Sequence, residues 1–109
     1  MNFEPASENL MNLVHNDQYL TFKWNKANIV FSVCQRGKAA NIHFDCDKPS
    51  LRLVKRALNE FCDFCFELFD WCTMIMGIIE KPSVIRMVEK CSFNKVADIK
   101  DHQVYVRLK

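Results

Sequence analysis

The residues of this chain best placed to move protons stand on one short alternating run. In Ala39 to Cys46, the residues Asn41, His43 and Asp45 recur at two-residue spacing, so a strand there carries all three on one face, opposite Ala40, Ile42, Phe44 and Cys46. His43 titrates near neutral pH, and Asp45 on the same face can hold its ring, a pairing suited to general-base work. The plainer reading of the same three residues, and the one that a single His and a single Asp favour, is a solvated or helix-covered polar face. A second candidate is the CxxC of Cys62-Asp63-Phe64-Cys65, a spacing used for zinc and for thiol exchange. Here both thiols fall in the apolar arc of a helical pattern, and no second Cys/His pair of ligand spacing follows. Reduced cysteines packed as small hydrophobes are therefore expected, with no metal. A third is Asp47-Lys48-Pro49-Ser50, which has the chemistry to cap and open a helix and carries basic residues into it at Lys48 and Arg52.

The elements that position these groups follow from periodicity. From Gln18 to Trp24 the period is two, with Leu20, Phe22 and Trp24 on one face, and Asn25-Lys26-Ala27-Asn28 supplies a turn. Ile29 to Cys34 alternates again, and Gln35-Arg36-Gly37-Lys38 offers a glycine for positive φ before the run Ala39 to Cys46. Leu51 to Phe69 then keeps a 3.6-residue period through Val54, Leu58, Phe61, Cys65 and Leu68, which predicts a long helix. Thr73 to Ile79 is a continuous apolar run that reads as a strand buried on both faces. Pro82 opens a short helix with Val84, Ile85, Val88 and Cys91 inward. Lys95 to Ile99 and a run holding Val104, Val106 and Leu108 close the chain as two strands. Residues 1 to 16 fit a short helix with Ser7 as cap and Leu10 and Val14 inward, or a mobile segment. The expected fold is α/β (α+β): one mixed, mostly antiparallel sheet flanked by helices, in the order helix, three strands, helix, strand, helix, two strands, forming a single domain over 1–109.

Within that order, Met76-Gly77-Ile78-Ile79-Glu80-Lys81-Pro82 leading to Glu89-Lys90-Cys91-Ser92-Phe93-Asn94-Lys95-Val96 resembles the late motif of the GNAT N-acetyltransferase superfamily. That motif is a strand, an Asn-containing loop, a helix ending in Tyr-Glu-Lys, then Gly-Phe and a strand. Gly37 to Asp47 and the helix from Leu51 look like the family's fourth strand and its acetyl-CoA-binding helix. The resemblance implies acetyl-CoA as a ligand, with Lys48, Ser50 and Arg52 at the pyrophosphate and the main chain around Met76 and Ile78 at the thioester. It also implies that a water or His43, its ring held by Asp45, deprotonates an acceptor amine. The chain departs from the motif in four places. Asp47 to Arg52 carries no glycine where the family has a Gly-rich loop, Lys81 stands for the usual Asn, Ser92 for the usual Gly, and Val88 for the Tyr that commonly protonates the leaving thiolate.

These departures lead to the expectation of a catalytically weak or inactive protein-interaction module, with acetyl-CoA-dependent transfer to a primary amine as the alternative. Phe64 and Phe66 cannot both point the same way at helical spacing, so the aromatic set Phe64, Phe66, Phe69 and Trp71 must meet a second surface, either intramolecular cover or a protein partner or second copy. A compact, glycine-poor form of the fold suits a virus- or phage-like protein acting on a host factor. Composition narrows the field further. With 15 Lys+Arg against 13 Asp+Glu and a net charge of +2 over 109 residues, nothing favours a nucleic-acid groove. Nine Phe and 2 Trp supply a core without disulfides. No apolar run approaches the ~20 residues of a membrane span. With no secretory pattern over 1–18, a cytoplasmic setting with reduced thiols is expected.

Overall fold

A computed structural model describes residues 2–6 and 19–109 of the chain. Its strands follow the period-two runs. Strand β1 is Phe3–Pro5, β2 Leu20–Trp24, β3 Ile29–Arg36 and β4 Ala39–Cys46. A 3-10 helix at Lys48–Leu53 then leads into helix α1 at Val54–Leu68. Strand β5 is Met74–Ile79, helix α2 Pro82–Lys90, β6 Asn94–Ile99 and β7 His102–Leu108. The seven strands form one mixed sheet in the order β1-β2-β3-β4-β5-β7-β6, antiparallel except for the β4/β5 pair. The β3–β4 hairpin closes on Gly37-Lys38, with Gly37 at φ 62°, the backbone region glycine enters without strain.

The core lies on the sheet face covered by both helices. Val54, Ala57, Leu58, Phe61, Cys62 and Cys65 form the buried stripe of α1, and Val88, Cys91 and Phe93 continue it from α2. Phe61 stacks on Phe31 with centroids 4.3 Å apart and meets Phe3 edge-to-face and Phe22 at a tilt, so one α1 side chain ties together three strands. Where α2 ends, the Phe93 N–H reaches the Val88 carbonyl at 3.1 Å and Ser92 takes φ 69°, the left-handed corner of a Schellman turn.

Several sequence expectations are corrected. The chain enters with a strand at Phe3–Pro5, paired to β2 in the register Phe3↔Trp24. The expected helix capped by Ser7, with Leu10 and Val14 inward, lies outside the described residues. The helix expected from Leu51 starts as a 3-10 turn over Lys48–Leu53, held by the Asp47 cap and Pro49, and becomes α-helical at Val54. Leu68 is 47% exposed because α1 ends there and its stripe has turned away from the sheet. Strand β5 is not buried on both faces: Ile75 and Ile79 are buried, but Ile78 is 44% exposed, because its neighbour β4 leaves it part-way along.

Candidate functional site

The divergence of β4 and β5 makes the site. Their pairing runs only through Ala39↔Met74, Ala40↔Ile75 and Asn41↔Met76. Beyond that, Ile42 to Cys46 stay paired to β3 and Gly77 to Ile79 to β7, so the facing edges of β4 and β5 part. An edge parted in this way presents unpaired main-chain N–H and C=O groups. Into the parting opens a cleft of about 770 Å³, bounded by β4 from Ile42 to Cys46, by Gly77 to Lys81, by Leu51, Val54 and Leu58, and by α2 through Ser83, Val84, Met87 and Val88. Apart from Ser83, its helix-side walls are apolar. A Cβ added to Gly77 would meet only the Ile79 side chain, at 3.9 Å, so the space over Gly77 is open.

The polar lining consists of His43, Asp45, Cys46, Glu80, Lys81 and Ser83. His43 lies half-buried with its ring centroid 5.6 Å from that of Tyr19, and burial lowers its pKa below the ordinary 6.5, so the imidazole is neutral at pH 7 and keeps a lone pair free. The Asp45 carboxylate accepts the Cys46 N–H at 2.9 Å. Burial, then Asp45 and Asp47, push the Cys46 thiol up, so Cys46 lines the cleft as a thiol and not as a thiolate. At the far rim Glu80 pairs with His102.

Of the sequence-predicted residues, His43, Asp45 and Ile78 line the cleft together. Met76 is the last β5 residue paired to β4 and stands at the point of divergence. Lys48, Ser50 and Arg52 sit at the entry to α1, outside the lining. Lys48 and Arg52 are exposed, whereas Ser50 is buried. The Ser50 hydroxyl accepts the Asn28 N–H at 3.1 Å and its own N–H donates to Asp47 Oδ1 at 3.0 Å. Cys62 and Cys65 are fully buried, with burial pushing Cys62 up to about 12 and Cys65 also upward. Among the described residues no three His, Cys, Asp or Glu side chains are grouped to hold a metal ion. Sequence reasoning missed Gly77, Cys46 and Glu80. The first had a signal, since a glycine within an otherwise continuous apolar strand marks a close approach.

Compared by sequence, the chain matches no family model and no curated protein. Compared by structure, it is similar to the N-acetyltransferase PseH of Campylobacter jejuni, solved in complex with acetyl coenzyme A. That likeness has 14% identity and a TM-score of 0.71, over 86% of this chain and 70% of that one. It is similar also to a dodecameric spermidine N-acetyltransferase of Vibrio cholerae, at 12% identity and TM-score 0.70 over 86% and 67%. A third is the ribosomal-protein-S5-alanine acetyltransferase of Vibrio fischeri, at 16% identity and TM-score 0.70 over 84% and 62%. The fold is that of the GNAT N-acetyltransferases. The GNAT likeness thus extends well beyond the late motif that first suggested it. These bacterial neighbours lend no support to a virus- or phage-like source. In this GNAT fold the aromatic set at and just beyond the end of α1 is partly covered from inside: Phe64 touches Phe3, Phe22 and Phe61 with ring centroids 5.0 to 5.9 Å apart, Phe69 stacks on Trp71 at 4.9 Å, and Phe66 packs against the same core. No described helix is long and apolar enough to cross a membrane.

Proposed function

We propose that the chain transfers an acyl group, acetyl in the simplest case, from a thioester to a primary amine in the cleft between β4 and β5. The observation that carries this reading is the parting of the two strands beyond Asn41 and Met76, with the half-buried, neutral His43 on one of the freed edges. The thioester fits the apolar side, where Gly77 leaves room and the unpaired edge of β5 offers main-chain donors to the carbonyl oxygen. The amine approaches on the His43 side. His43 takes its proton, the nitrogen attacks the carbonyl carbon, and negative charge gathers on the oxygen. The C–S bond then breaks, leaving an amide and a thiolate that takes up one proton, so a thioester and an amine become an amide and a thiol. Val88 has no proton to give, and the thiolate is protonated from water entering the open cleft.

The open cleft and the acetyltransferase neighbours favour this reading over an inactive interaction module, whose main support was the missing Tyr and glycine loop. Assembly through whatever Phe66, Phe69 and Trp71 leave uncovered belongs to the proposal. Light scattering that returns a monomer at high concentration removes it. The function itself is tested by mixing the protein with acetyl-CoA and a panel of primary amines and following thiol release. Release that requires both protein and amine, and falls on His43→Ala, supports the proposal; no release with any amine, together with no thermal shift by acetyl-CoA or CoA, overturns it.

A further inference from the structure

The entrance to α1 carries a feature the cleft alone does not explain. A negatively charged group docking there would need free main-chain donors. Pro49 has no N–H, and the Ser50 N–H is already taken by Asp47 Oδ1 at 3.0 Å. The other Asp47 oxygen accepts Asn28 Nδ2 at 2.8 Å, and the Asp47 N–H in turn reaches the Asn28 carbonyl at 3.3 Å, so the carboxylate is locked between the β2–β3 turn and the helix start. The Ser50 hydroxyl accepts the Asn28 N–H and so is not turned toward a ligand. Hydrogen bonds from Ser50 and Asn28 keep Asp47 below its ordinary 3.8, so it is ionised at neutral pH. With Asp45 two residues away, an arriving diphosphate meets fixed negative charge instead of a row of amides. Lys48, Arg52 and Lys55 are the cations of this entrance, and all three are exposed, where salt screens them.

We infer that the chain's own Asp47 carboxylate occupies the position of a diphosphate, so that the thioester donor is read along its apolar, pantetheine-like arm and not through a nucleotide. This rests on the thioester reading of the cleft and narrows it to a substrate class: acyl thioesters of pantetheine-type thiols, whatever carries their far end. The chemistry of transfer is unchanged, because the bond that breaks is the same C–S bond.

Calorimetric titration of the protein with CoA, with 4′-phosphopantetheine and with pantetheine, each at low salt and at high salt, tests it. The expected result is that the three thiols bind within about threefold of one another at high salt, with any low-salt preference for CoA due to the exposed cations and lost on screening. CoA binding more than about tenfold tighter than pantetheine at high salt overturns the inference and leaves the thioester reading standing. No binding of any of the three at millimolar concentration overturns both. A double variant, Asp47→Gly with Pro49→Gly, frees the amides: it should gain about tenfold for CoA with pantetheine unchanged. A folded variant that gains no such preference also counts against Asp47 as the block. The wild-type comparison decides the matter alone if the variant does not fold.

Discussion

Replacing Gly77 by Val separates a ligand cleft from a mere surface dent. Gly77 sits inside β5 between the buried Ile75 and Ile79, yet a Cβ there meets nothing closer than the Ile79 side chain at 3.9 Å, and its φ lies outside the left-handed region. Folding should therefore tolerate the change. A glycine in a strand interior costs about 0.5–1 kcal/mol against a residue with a Cβ, so Gly77→Val should raise stability by about that amount. With an unfolding entropy of about 2.1 cal/mol/K per residue, the 109-residue chain gains about 2–4 °C in Tm. The branched side chain nevertheless fills the opening over which the thioester is proposed to lie. Ligand at about 100 times its Kd stabilises the native protein by about 2.7 kcal/mol, about 12 °C for a chain of this size, and that shift should vanish in the variant. Paired melts with and without pantetheine or CoA give both numbers. A variant that melts several degrees lower would show the space over Gly77 to be needed by the fold. One that keeps the ligand shift would show that the thioester does not lie there. Either result refutes the reasoning.

The neutral His43 predicts a pH profile. Because burial lowers its pKa, amine acetylation should hold down to below pH 6.5 and then fall on an acid limb. His43→Ala should remove that limb and cut the rate by about 10²-fold or more, as read from initial rates across pH 5 to 9. The same shift acts on folding. The unfolded chain binds the proton first, so stability is complete above pH 6.5 and is lost as pH falls toward the lowered value; in urea melts His43→Ala should flatten that dependence. Ser92, held at φ 69° in the Schellman turn after α2, should be stabilised by about 1 kcal/mol on Ser92→Gly, measured by urea denaturation, with ligand binding unchanged. Phe61→Ala should cost about 3–5 kcal/mol, since the ring is fully buried and packs against four other phenylalanines; a loss below about 1 kcal/mol in the same assay would mean that the aromatic cluster does not hold α1 to the sheet.

The strands and helices were legible because their physics is local. Phe22 and Trp24, Ile29 to Val33 and Val54 to Cys65 each carry the period of the element they form, and Gly37 and Pro82 stand at the turn and the helix start where their backbones are at ease. What local pattern does not encode is which strand edges stay together. The apolar run from Met74 to Ile79 looks the same whether β4 accompanies it throughout or leaves after Asn41, and only the second arrangement exposes Ile78 and opens the cleft. Phe3 was hidden for a similar reason: three residues are too few to show alternation, and their pairing with Trp24 is set by the aromatic rings of β2 and α1.

The same distinction bears on the site. The types and spacing of His43 and Asp45 single them out as candidates, but any service to each other is a matter of directions, and in the folded chain Asp45 turns to the Cys46 N–H while Tyr19 flanks the imidazole. His43 thus owes its neutrality to burial and not to a partner's charge, which means that its basicity depends on how dry the parting of β4 and β5 remains. A ligand that closes the cleft would lower the pKa further, whereas one whose ammonium docks beside Asp45 brings a new positive charge and lowers it by repulsion as well. In both cases the histidine stays unprotonated, as the proposed transfer requires when the amine loses its proton. The acid limb measured with saturating amine should therefore lie below the limb measured at low amine; the opposite order would place the proton-accepting group elsewhere in the cleft.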